Sequence, residues 1–251
     1  MNLLETPPTP FDVNFSVFGV PVRITPFFWL TAVIMGGAFA NGTQLLVWVL
    51  AVLLSILIHE LGHVWAYRRH GMAARIVLHQ FGGVAIADGA GSVWRVPRMG
   101  RDPWRDIFIA LAGPGAQILA ALVVLGPIVV MATGRGMSFS SLDDLYSAVR
   151  LFLAKQPLVQ LFVILFANCS IYWALLNLLP VYPLDGGQVS RNLFLIYGGH
   201  QAMTQSLWLS VIVGAAIALY FFQHGNGYGG LMFAVLAYSS YQTVQMHQGR
   251  F

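Results

Sequence analysis

Between Ile24 and His59 the chain carries no Asp, Glu, Lys or Arg, and Ile107–Gly134, Gln156–Leu184 and Asn192–Gly249 are equally free of them. Such stretches match the ~20 mostly apolar residues that a helix needs to cross a bilayer. Only 9% of the 251 residues are charged, against ~25% in soluble domains, so the chain reads as a membrane protein. The glycine-rich breaks GGAFANG (36–42) and QHGNGYGG (223–230) divide the first and last stretches. Six spans are predicted, near 25–41, 44–67, 107–134, 156–184, 203–222 and 229–246.

Charge distribution orients these spans. Seven of the 13 Lys and Arg residues (Arg68, Arg69, Arg75, Arg95, Arg98, Arg101 and Arg105) fall in one inter-helix segment, against Asp88 and Asp102. The net charge of +4 is therefore a topology signal and points to no nucleic-acid partner. The positive-inside rule puts this segment and both termini in the cytoplasm, and loop 134–155 outside. Within the segment, RIVLHQFGGVAIADG (75–89) alternates apolar and small residues around Gly82-Gly83, which predicts a β-hairpin or small sheet set against the membrane. The expected fold is an all-α polytopic membrane protein of about six transmembrane helices, with that β-element between helices 2 and 3. It is read as one domain over 1–251. The start, MNLLETPPTPFDVN, has no basic region before an apolar core and is not expected to be a cleavable signal. Cys169 is the single cysteine, which excludes an internal disulfide and a cysteine-based metal cluster.

Against this background HELGH (59–63) stands out at the end of an apolar run, because ionisable groups in a span mark function by default. It fits H-E-x-x-H, in which two histidines one helical turn apart share a face and can grip one metal ion. Glu60 projects beside them, placed to take a proton from a water activated by that ion. With seven His in the chain, chance supplies the pattern about 0.002 times. His70, His79, His200, His224 and His247 are read instead as satisfied polar residues.

Zinc takes a third protein ligand and keeps one position open. The acidic side chain set at a later span is Asp185, in NLLPVYPLDGG (177–187). In the six-span topology helices 2 and 4 both descend inward, so His59, His63 and Asp185 fall at similar depth, near the cytoplasmic side. Pro180 and Pro183 break the end of helix 4, and Gly186-Gly187 lets the backbone turn closely.

HELGH, LAGPGAQ (111–117) and NLLPVYPLDGG together resemble the site-2 protease family of intramembrane zinc metalloproteases. The resemblance covers roughly 44–190, the expected catalytic core. It implies one zinc ion per chain held by His59, His63 and Asp185, with Glu60 as catalytic base. It implies that Asn168 and Asn177 border the substrate, and that Phe81, Gly82 and Gly83 belong to a β-element holding a substrate segment extended. Its substrates would be single-pass membrane proteins, cut within or beside their transmembrane segment in the cell membrane. No PDZ or CBS domain is expected. From spacing alone, Asn168 and Asn177 lie about 180° apart on an ideal helix, so interhelical hydrogen bonding is an equal reading for Asn168. A zinc transporter also pairs histidines with a glutamate in a span. It needs polar residues through the full membrane thickness, whereas here they gather at one end.

Overall fold

The structure, a computed structural model, describes residues 7–39, 41–87 and 102–247. Asp88, Arg95, Arg98 and Arg101 of the basic segment lie outside them. Two compact units are drawn from Met1–Val96 with Gly115–Ala174 and from Pro97–Pro114 with Leu175–Phe251.

The first unit opens with a hairpin, β1 (Val13–Val17) and β2 (Val20–Ile24), whose alternation VNFSV/VPVRI suits paired strands. Phe18 and Gly19 form its turn with φ of 50° and 69°, the left-handed pair that matches strand twist in a two-residue loop. Helix α1 (Pro26–Met35) starts on a proline that needs no N–H there. Helix α2 (Gly42–Arg69) is N-capped by Asn41, whose Oδ1 accepts from the Gln44 N–H at 2.8 Å. Arg68 and Arg69 in its last turn complement the helix dipole. Arg68 also donates to the carbonyls of Phe18 and Gly19, at 3.0 and 2.9 Å, latching the hairpin turn to the end of α2.

After α2 come β3 (Ala74–His79) and β4 (Gly82–Ala87), antiparallel to each other, and β2 pairs in parallel with β3. The sheet order is β1-β2-β3-β4. Val20, Val22, Ile24, Ile76 and Leu78 from the sheet pack on Phe28 of α1 and Ile56, Leu57 and Val64 of α2. The hairpin expected between helices 2 and 3 is thus half of a four-stranded sheet, whose other half precedes helix 1. A second core joins α3 (Pro103–Thr133), through Leu125 and Ile128, to Val149 of α4 (Leu142–Phe152) and Val163 of α5 (Pro157–Asn177).

In the second unit α6 (Asp185–Tyr197), α7 (Ala202–Gln223) and α8 (Gly227–His247) follow one another, with Val181, Ala218 and Phe233 at the core. Among the described residues four helices, α2, α3, α5 and α7, are long and apolar enough to cross a membrane. Leu119, Leu122, Val123 and Val130 of α3 face outward, as lipid-facing residues would. The six-span expectation thus coincides with four such helices. Over its first predicted span the structure forms only the ten residues of α1, and α8 carries Ser239, Ser240, Gln242, Thr243 and Gln245. The span expected over 156–184 stops at Asn177, and Asp185 opens a separate helix, because Pro180 and Pro183 cannot continue the ladder.

Candidate active site

Helix α2 presents His59 and His63 from successive turns of one face, both buried, with Nε2 atoms 3.0 Å apart and rings edge to face. Two nitrogens held tetrahedrally at about 2.05 Å from one zinc lie about 3.3 Å apart, so the donor chemistry and spacing of this pair suit that ion. Glu60, also buried, follows the first histidine. The main chain of Gly83 lies against its side chain. A Cβ on Gly83 would come within 2.7 Å of both the Glu60 Cγ and Oε1, closer than any real contact. At Gly82 the φ of +120° disfavours any side chain, and a Cβ would meet the Trp173 indole at 2.6 Å. The two adjacent glycines of β4 are therefore required for different reasons, one by the carboxylate and one by conformation and the indole. Phe81 donates its N–H to His79 Nδ1 at 3.2 Å and sets its ring edge-on to that imidazole.

Asp185 is the first residue of α6, where the helix dipole favours a carboxylate, and it is buried. The chain reaches it through a tight loop. A Cβ on Gly186 would collide with the Leu178 carbonyl, and one on Gly187 with the Tyr182 nitrogen. Tyr182 donates its N–H to Ser210 Oγ of α7 at 3.1 Å, and its carbonyl accepts from Ser240 Oγ of α8 at 3.1 Å. Gln188 Nε2 donates to the Pro183 carbonyl at 3.3 Å. These bonds fix the loop on α7 and α8, and the loop fixes the start of α6.

Of the two asparagines, Asn168 accepts a short hydrogen bond from the Tyr146 hydroxyl of α4, while Asn177 is the half-buried last residue of α5. Three buried polar residues given no role above connect to His59: Gln117 directly, Ser55 through Gln117, and Ser170 through Ser55. A signal for the first was present, since Gln117 is the one amide in the charge-free stretch Ile107–Gly134. His79, read from sequence as an ordinary satisfied histidine, is 2% exposed, and its Nε2 meets no partner among the described residues. Burial, with Arg23 nearby, lowers its pKa to about 4.

A helical array able to cross a membrane, joined to an H-E-x-x-H helix, defines the class of helical metallopeptidases. The family model of peptidase family M50 matches residues 47–221. This chain belongs to peptidase family M50, the family to which the site-2 resemblance pointed. Among its relatives are Zinc metalloprotease MJ0392 of Methanocaldococcus jannaschii, 24% identical over 82% of this chain and 51% of that protein, and Putative zinc metalloprotease Rip3 of Mycobacterium tuberculosis, 27% identical over 72% and 40%. The chain thus spans about half or less of the length of these relatives. The structure of the Site-2 Protease from Methanocaldococcus jannaschii shares its fold, with a TM-score of 0.55 at 20% identity, over 93% of this chain and 95% of that one.

Proposed function

We propose that this protein is an intramembrane zinc endopeptidase, acting as one catalytic domain on a peptide bond within or next to the transmembrane segment of a single-pass membrane protein. The observation that carries this reading is the buried pair of imidazole nitrogens 3.0 Å apart with Glu60 beside them on α2. His59, His63 and Asp185 hold the metal. In support, each of the three side chains is buried. Two neutral imidazoles and one carboxylate are a zinc donor set that leaves a fourth position open.

When bound, zinc supplies a Lewis acid that makes water acidic near neutral pH and polarises a carbonyl. Glu60 takes the proton of the attacking water and passes it to the leaving amine. Its burial keeps that exchange away from bulk solvent, and the bare main chain of Gly83 leaves a side-chain-free surface beside the carboxylate. Among the described residues strand β4 is last in the sheet order, so an extended substrate segment can add to it there, alongside Phe81, Gly82 and Gly83. Asn177 borders the same substrate. Asn168, engaged by Tyr146, is the weaker candidate for that role. The chain sits in the cell membrane as a multi-pass protein, with termini and active site towards the cytoplasm.

Glu60→Gln tests the reading. Cleavage of a membrane-anchored reporter is expected to fall ~10²- to 10⁴-fold while zinc stays near one per chain. A variant that still cuts at the wild-type rate removes Glu60 from the chemistry.

A further inference from the structure

We propose that Gln117 is a positioning residue for His59, holding its imidazole in the tautomer that puts the lone pair on Nε2, the atom that would bind a metal. The proposal deepens the zinc reading of His59 and His63 and rests on it.

The orientation of the amide decides the matter. One end of the Gln117 side chain lies 3.1 Å from the Ser55 carbonyl oxygen and 2.9 Å from Ser55 Oγ. A carbonyl oxygen only accepts, so the amide nitrogen must be the atom that faces it. The amide oxygen then points the other way, 2.9 Å from His59 Nδ1. An amide oxygen also only accepts, so Nδ1 carries the ring proton and donates it. In a neutral imidazole the lone pair then belongs to Nε2. That atom is the one turned towards His63 Nε2.

The surroundings hold this arrangement. Ser55, Gln117 and Ser170 have no exposed surface, so no solvent competes for their bonds. Ser170 Oγ donates to Ser55 Oγ at 3.1 Å. Ser55 Oγ therefore accepts from both Gln117 and Ser170, filling its two lone pairs. If the amide turned over, its oxygen would face the Ser55 carbonyl oxygen, acceptor against acceptor, and that hydrogen bond would be lost. The chain of bonds spans three helices, from α5 (Ser170) through α2 (Ser55) and α3 (Gln117) back to His59 on α2. The carbonyl that sets the amide belongs to the turn of α2 preceding its own histidine.

A buried amide can also be mere glue between helices, and the two roles differ in what Gln117→Glu does. A carboxylate still accepts from the Nδ1–H but does not donate to the Ser55 carbonyl. The test measures zinc affinity of the purified full chain in detergent micelles by competition with a chromophoric chelator, with thermal unfolding recorded alongside. Gln117→Met, similar in shape and without a strong acceptor, is expected to bind zinc about 10- to 100-fold more weakly. Gln117→Glu is expected to stay within ~3-fold of wild type even where its melting temperature falls. Equal loss of affinity in both variants, or wild-type affinity in Gln117→Met, overturns the proposal. Should Gln117→Met fail to fold, Gln117→Glu decides: affinity near wild type supports positioning, and a ten-fold loss or more overturns it. ¹⁵N spectra of the zinc-loaded wild type, with histidine labelled, give a second reading, since a His59 ring protonated at Nε2 also overturns the proposal. The control His63→Ala separates the two levels. Undiminished zinc binding in that variant overturns the underlying zinc assignment, whereas its loss alongside wild-type affinity in Gln117→Met overturns the role of Gln117 alone.

Discussion

Two glycine pairs, one set against Glu60 and the other directly after Asp185 in the chain, are not equivalent. Gly186-Gly187 clears space for backbone: the atoms that a side chain would strike are the Leu178 carbonyl and the Tyr182 nitrogen. Gly82-Gly83 clears space for side chains: the obstructing groups are the Trp173 indole and the Glu60 carboxylate. Backbone anchored by Ser210 and Ser240 has nowhere to go, so the first pair is a condition for the loop to form at all. A glutamate can swing aside, so Gly83 is a condition for where the carboxylate rests, whereas Gly82 answers to its backbone conformation and the indole. The first pair is a requirement of folding, and Gly83 a requirement of where Glu60 stands.

Substitutions can break this distinction. Gly186→Ala is expected to have the largest effect, costing about 3 kcal/mol or more through overpacking and removing most folded, detergent-soluble protein. Thermal unfolding and yield measure it, and a variant with wild-type stability would show the loop to be adaptable after all. Gly83→Ala comes next, with a ~100-fold loss of peptidase rate because Glu60 is displaced, while zinc content and melting temperature stay near wild type. If its stability falls as far as that of Gly186→Ala, the two pairs do the same work and the comparison fails.

The smallest effect sharpens the picture of the sheet that carries Gly82-Gly83. His79 is held neutral by burial, with a folded pKa of about 4 against 6.5 unfolded. Between those values the unfolded chain binds the extra proton, so stability present above pH 6.5 declines as pH falls towards 4. Going from pH 7 to 5.5 should cost about 1 kcal/mol, and His79→Leu should flatten that part of the profile. An unchanged slope in the variant would assign the acid sensitivity to other groups.

Much of this was legible in the residues, and what was not shares one cause. H-E-x-x-H is a local pattern, and its geometry follows from helix periodicity alone. The RIVLHQFGGVAIADG strands were also legible, because alternation and a glycine turn are local signals. The hairpin of β1 and β2 carries a similar alternation, but its place in the sheet depends on a parallel pairing with β3 about 50 residues on, which no local pattern signals. Helix α6 begins DGG, a poor helix start by propensity, and forms on a loop tied to α7 and α8. Gln117 finds Ser55 62 residues away, a separation that no window on the sequence spans. The reason for Gly83 is likewise a residue of another element. The family resemblance implies an extended substrate at Phe81, Gly82 and Gly83, but the carboxylate beside Gly83 emerges only when β4 is laid on α2.

The contact between Gly83 and Glu60 also bears on inhibition. A compound that leans on the side chains of a cleft can be evaded by exchanging those side chains. Position 83 offers no such escape, since any replacement adds atoms where the Glu60 carboxylate already stands. A ligand that mimics an extended peptide and reads the main chain of β4 would meet a surface that point mutation cannot reshape while Glu60 stays in place.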